Sequence, residues 1–386
     1  MRDATIAAAG TVKPRLVWFD ANRALAAVGV VLIHSTTDFS GGVFPDAEPM
    51  ERIIPVFLRS LAELSGSEMF FTFSLFLMAF KLDRRRPAYG EAIREQARRL
   101  LVPFVVWTLF YAFFRLVKAT EFGYPQAIWA QLADPEKWLG YFVLGEAQYH
   151  MHFLPTLFLL FLFFPLMRLG QRFPLFGLVI IATLGTMQYA QGWIWGLGLE
   201  PDLRDYIIRA TKVLGYVGYG LAAFALFGLW KDGIPRGESR LLRRGALYMI
   251  AIAYMATLPF FGAALFNGAW NVRQNWAYYG HFLMPLFVFL CFMSSQYGNW
   301  SPRWSWFARY TFGVYLIHPL VIDLYDVVMH RAGLTGIEPW MIVTSRFAVA
   351  LPGAFLIAYA LSKIPFLAWT IGLGPTPWDR RGAVRD

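Results

Sequence analysis

Arg23 and His34 are the residues whose types and spacing most directly suggest chemistry. They stand eleven positions apart in one apolar run. Eleven residues of α-helix make about three turns, so the two side chains fall within about 20° of one face and about 16 Å apart along the axis. A guanidinium at one end of that face suits an anion. A neutral imidazole at the other, with a pKa near working pH, can take a proton from a hydroxyl as it attacks a thioester carbonyl, which makes His34 the candidate base. Asp20 lies one turn before Arg23 and Asp38 one turn after His34, where each can hold its neighbour in place. Arg23, the His150 side chain and Ser74 are the candidates to stabilise the oxyanion. The competing interpretation of the pair is a snorkelling arginine and a core histidine satisfied by a backbone carbonyl.

The elements that carry these residues are membrane helices. Hydrophobic residues make up 57% of the chain and charged residues 16%, against about a quarter charged in soluble domains, and a soluble core cannot absorb that much apolar surface. A helix needs about 20 apolar residues to cross the hydrocarbon. The runs predict an all-α integral membrane protein with spans at 16–37, 60–80, 97–118, 151–169, 174–193, 207–229, 245–266, 274–295, 305–328 and 341–362. Residues 1–386 read as one membrane domain, with residues 1–15 and 363–386 as tails, no removable signal peptide, no repeat and no appended soluble domain. The connections 38–59 and 119–150 are long, and Ala127 to Phe142 reads as an interfacial helix or re-entrant segment able to roof a cavity.

Charge then selects the sides. The net charge of +10 does not gather on an amphipathic or aromatic-interleaved surface, which argues against nucleic acid. Instead Arg2, Lys13 and Arg15, the Lys81–Arg99 cluster, Lys231 to Arg244, Arg303 and Arg309, and Lys363 to Arg385 alternate with acidic loops. The positive-inside rule accordingly places both termini in the cytoplasm. In that topology all six histidines, His34, His150, His152, His281, His318 and His330, fall at the midplane or outward, and the arginine clusters inward. Lys81, Arg98 and Arg99 suit a phosphate-bearing donor, although Arg84 to Arg86 read as topology determinants. Cys291 is the only cysteine, so no intrachain disulfide forms, and the histidines lack a metal-ligand spacing.

With these residues in place, the chain resembles the membrane acyltransferase family 3, which acylates polysaccharides, lipopolysaccharide, peptidoglycan and small glycosides. Phe19 to Ala27 running on to His34 is similar to the family's first-span pattern. Phe70-Phe71-Thr72-Phe73-Ser74, Arg98-Arg99-Leu100-Leu101-Val102-Pro103, Tyr149-His150-Met151-His152-Phe153-Leu154-Pro155 and Thr311 to Pro319, with Tyr315 and His318, match later segments in order. The resemblance implies that His34 is the essential histidine, Arg23 its partner, and Arg98 and Arg99 the arginines near the coenzyme A end of the donor. Leu75 replaces a usual glycine, His152 a usual tryptophan, and Gln96 stands where a further basic residue is expected.

These readings combine into an expected activity. A bacterial inner-membrane, multi-pass enzyme moves an acyl group, acetyl by default, from cytoplasmic acyl-coenzyme A to a hydroxyl of an extracytoplasmic polysaccharide or lipid-linked glycan. Acyl-coenzyme A is a co-substrate and no cofactor is bound; polysaccharide-synthesis proteins are potential partners. Asp20, Glu68, Ser74, His150, His152, Tyr315 and His318 are expected to support the cavity around His34 and Arg23. A succinyl donor would need a further cation, such as Arg273 or Arg346, and Trp129, Trp138, Trp193, Trp195 and Trp276 suit either sugar stacking or interfacial anchoring. The alternative is a transporter or polysaccharide exporter in which Arg23, Glu68 and His34 form a path.

Overall fold

The computed structural model describes residues 16–270 and 275–376. Arg2, Lys13, Arg15, Arg273, Arg380, Arg381 and Arg385 therefore lie outside the described residues. In chain order the helices are α1 Val17–Ser35, α2 Pro49–Ala62, α3 Ser67–Arg85, α4 Tyr89–Glu121, α5 Pro125–Ala133, α6 Pro135–Val143, α7 Phe153–Leu162 and α8 Phe164–Arg172. They continue as α9 Val179–Gly196, α10 Pro201–Lys231, α11 Arg236–Asn267, α12 Asn275–Ser294, α13 Arg303–Ala308, α14 Thr311–Arg331 and α15 Pro339–Lys363. No strand occurs among the described residues, and the protein is an all-α membrane protein.

Every predicted span falls on a helix. Among the described residues, eight helices are long and apolar enough to cross a bilayer alone, and α7 with α8 would make a ninth, bent by 70°. The tenth, α3, carries Glu68 in its first turn and ends in Lys81, Asp83, Arg84 and Arg85, so its apolar stretch is short. It is nonetheless packed between α10 and α12.

Helices α4, α10 and α11 start several residues before their predicted spans, and three other spans are broken or shortened, each for a local reason. Gly66 breaks the chain before α3, so the second span starts at Ser67 and α2 stands apart as an amphipathic helix. Pro165 in the first turn of α8 cannot donate a backbone bond into the preceding turn, and the fourth span breaks at Phe163. The ninth span starts at Thr311, because α13 ends before Arg309 and Tyr310. Between residues 119 and 150 the anticipated helix is two: Asp134 caps α6 by accepting the Glu136 amide at 2.9 Å, with Pro135 in its first turn. Lastly, the segment after Lys363, expected as a tail, folds back on the bundle through a 3₁₀ turn at Ala368–Ile371, where the Trp107 Nε1 donates to the Thr370 carbonyl at 2.9 Å.

The interior follows membrane packing rules. Lipid gives helices little hydrophobic reason to associate, so close contact relies on small residues. Gly218 of α10 lies so near α9 that a Cβ there would stand 2.8 Å from the Ile180 Cα, and Gly220 is covered by Met167. At the start of α1, Trp18 and Phe19 meet Phe76, Trp230 and Phe289 edge-on, tilted and stacked. That aromatic knot fixes the rotation of α1, and with it the directions in which Arg23 and His34 point.

Candidate active site

At the Arg23 end of α1, Asp20 is buried and accepts a hydrogen bond from Ser305 at 2.6 Å. Its carboxylate lies 3.7 Å from the Arg23 guanidinium, the pairing expected from their spacing. Arg23 also donates to Thr311 Oγ1 at 3.2 Å, which ties α1 to the start of α14. A cavity of about 270 Å³ opens here, and its polar wall is Arg23, Ser74, Lys81, Gln96, Arg99 and Arg309. Phe70, Phe73 and Leu77 are among its apolar walls. An adjoining cavity of about 480 Å³ shares Arg99 and adds Arg94 and Arg98. Three arginines on two consecutive turns of α4 make this end suited to phosphate oxygens. Gln96, the departure from the basic pattern, remains in the wall.

The opposite end of α1 opens into a larger cavity of about 830 Å³, with His34 in its wall. The His34 ring lies over Tyr149, with centroids 4.5 Å apart, and is stacked on His318 at 5.3 Å. Among the described residues it has no hydrogen-bond partner, so its nitrogens are available to a ligand in the cavity. Asp38 does not hold it. That carboxylate is committed to its own turn, accepting from the Ser40 amide and hydroxyl and from the Gly42 amide at 2.7–2.8 Å. Instead Arg59 approaches from α2, donating to the Ile33 carbonyl at 3.0 Å and to Glu63 at 2.6 Å, with its guanidinium over Trp270.

The far wall carries a charge cluster that the sequence reading did not single out. Lys118 lies 2.6 Å from Asp326 and 3.1 Å from Asp323, Gln148 donates to Asp323 at 2.8 Å, and Arg346 pairs with Asp326 at 2.7 Å. Arg346, considered as a cation for an acidic acyl group, is fully buried and also donates to the Thr37 carbonyl. Two carboxylates three positions apart inside an apolar helix were a visible signal, since such groups in a membrane mark function by default.

Between the two cavities sits a layer of rings. Tyr315 meets Phe70 and His150, and His150 meets His318 at 5.2 Å between centroids. The Tyr315 hydroxyl donates to the His150 carbonyl. His318 Nδ1 lies 2.8 Å from the Tyr315 carbonyl, which accepts only, so Nδ1 carries the proton and Nε2 is the basic nitrogen. That Nε2, and both ring nitrogens of His150, are buried without a protein partner. Buried polar atoms normally find partners, so these three point to a polar guest or an ordered water.

The remaining predicted residues divide plainly. Arg23, Ser74, Lys81 and Arg99 share the smaller cavity, and Arg98 the adjoining one; none of them lines the His34 cavity. The anticipated grouping of Arg23 or Ser74 with His34 around one carbonyl is thus replaced by two sites along one helix face. Glu68 lines none of the three, accepting from Ser67 at 3.1 Å beside the Glu63–His281 pair. His152 is exposed, its Nδ1 2.7 Å from the Tyr149 carbonyl, and it positions the loop that bears Tyr149. His330 pairs with Glu121 at 3.0 Å, away from His34.

A family model described as an acyltransferase domain matches residues 16–359. No curated protein and no solved structure matches the chain.

Proposed function

Because the chain belongs to the acyltransferase 3 family, we propose that it carries an acyl group, acetyl by default, from acyl-coenzyme A to a glycan hydroxyl across the bilayer. The arginine end faces the cytoplasm and receives the donor. The His34 end faces outward and receives the acceptor, an exported polysaccharide or a lipid-linked glycan, in a bacterial inner membrane. One observation carries the reading: a single face of α1 presents Arg23 to an arginine-lined cavity and an unpartnered imidazole to a separate, larger cavity of a size usual for ligand sites.

In the mechanism, the His34 imidazole takes the proton of the acceptor hydroxyl as its oxygen attacks the thioester carbonyl. The tetrahedral intermediate collapses with loss of the coenzyme A thiolate, and the imidazolium returns the proton to that sulfur. Products are an O-acyl ester and the free thiol, so no net proton is gained or lost. His150, whose ring nitrogens lack protein partners, is available to donate to the oxyanion. The thioester reaches His34 by passing the ring layer of Phe70, Tyr315 and His318.

The test is transfer of label from radiolabelled acetyl-coenzyme A to envelope glycan by the purified, membrane-reconstituted protein. His34→Ala is expected to lower kcat about 10²- to 10⁴-fold, the usual worth of a general base, while still binding the donor. Arg23→Ala is expected to weaken donor binding. Equal rates for wild type and His34→Ala would remove His34 as the base. A wild-type protein that neither binds coenzyme A nor transfers label, yet moves glycan across vesicles, would establish the exporter reading instead.

A further inference from the structure

The matched domain ends at residue 359, yet the arginine-lined cavities are not complete there. Ile371, Gly372 and Leu373 line the smaller cavity beside Arg23 and Arg99, and Trp369, Gly374 and Thr376 line the adjoining one beside Arg94 and Arg98. Gly372 and Arg99 border both, so the two run together. Resting on the acyltransferase reading, we propose that the segment 364–376 is the nucleotide-binding wall of the donor site, with the Trp369 indole against the adenine of coenzyme A and Arg94 and Arg98 against its phosphates.

The shape of the pair fits a ligand with two unlike ends. The outer, wider cavity combines cations with a flat aromatic face, the combination that holds a base and its phosphates. Glu91 and Glu95 also line it, but Glu95 is engaged by Lys81 at 4.0 Å and Arg85 at 3.7 Å, which offsets its charge. The inner, narrower cavity has the apolar walls that suit a pantetheine-like arm heading for the ring layer.

The segment is held in a defined place. Its Thr370 carbonyl accepts from Trp107, and Leu373 closes a turn onto the Ala368 carbonyl at 2.9 Å. Gly372 has φ +73°, a conformation open to glycine, and a Cβ there would meet Phe312 of α14 at 2.8 Å. The Trp369 Nε1 donates to the Phe366 carbonyl at 2.6 Å, which sets the ring plane.

Phosphate chemistry at such a site has two sources, a nucleotide or an anionic lipid headgroup, and the experiment separates them. Full-length protein in nanodiscs of phosphatidylcholine, and separately of phosphatidylglycerol, is assayed with acetyl-coenzyme A and with S-acetyl-N-acetylcysteamine, a thioester that lacks the nucleotide. Loss of a base stack predicts that Trp369→Ala raises KM for acetyl-coenzyme A about 5- to 150-fold, with kcat unchanged, in both lipids. Rates with the short thioester stay at the wild-type level, and Trp369→Phe restores most of the affinity. An unchanged KM, a matching loss with the short thioester, or an effect confined to phosphatidylglycerol would overturn the proposal while leaving the acyltransferase reading intact. Wild-type protein that uses neither donor overturns both.

Discussion

Lys118 shows what single residues do at the His34 cavity. Its ammonium lies between Asp323 and Asp326, and Arg346 closes the other side of Asp326, so two cations face two carboxylates. The cluster joins α4, α14 and α15, and Gln148 adds the loop that carries Tyr149 and His150. A balanced group of this kind contributes little net stability over an apolar equivalent, but removing one member leaves an uncompensated buried charge. Lys118→Met is therefore expected to destabilise the protein by about 3–5 kcal/mol, read as a lower unfolding midpoint in detergent. Adding Asp323→Asn to that variant should recover part of the loss; a further drop instead would show that the carboxylate is needed for itself. The same logic separates His34 from three of the other histidines. His281 and His330 are paired to Glu63 and Glu121, and His318 to backbone carbonyls, whereas His34 is left to the cavity.

The elements differ in which job they do. α4 spans 33 residues, about 50 Å at 1.5 Å per residue, against about 30 Å of hydrocarbon. Its excess length carries Arg94, Arg98 and Arg99 at one end and brings Lys118 to the other cavity. On α2, Met50, Ile53, Ile54, Phe57 and Leu61 form one exposed apolar stripe, which suits a helix lying in the membrane interface. α10 works through what it lacks, since Gly218 admits α9 to near contact. Gly218→Leu is expected to cost about 1–3 kcal/mol by overpacking. The check is a thermal melt beside an activity assay on the surviving fold, where a fall in stability with retained KM values is the expected outcome. No change in the melt would mean that α9 is not held against α10.

For the whole molecule, the two ends differ in chemistry, and orientation decides what each can meet. In a Cys291→Ser background, Thr335→Cys reports the His34 end and Ser301→Cys the Arg23 end; both positions are exposed. With the arginine end in the cytoplasm, an impermeant maleimide should label Thr335→Cys in intact cells and Ser301→Cys after lysis alone, and the reverse pattern would invert the proposed direction of transfer. The helices, their approximate limits and the common face of Arg23 and His34 were legible in sequence, because hydrocarbon thickness and a 3.6-residue period are local constraints. The Asp20–Arg23 pair was legible for the same reason. That this one face opens into two cavities depends on which helices stand beside each end of α1, and periodicity in one helix carries no record of its neighbours. Asp38 turned to its own loop because a nearby amide competes with a more distant imidazole, and His152 is held by the Tyr149 carbonyl one turn before it. Lys118, Asp323 and Asp326 come from segments more than 200 residues apart, and only packing brought those charges together.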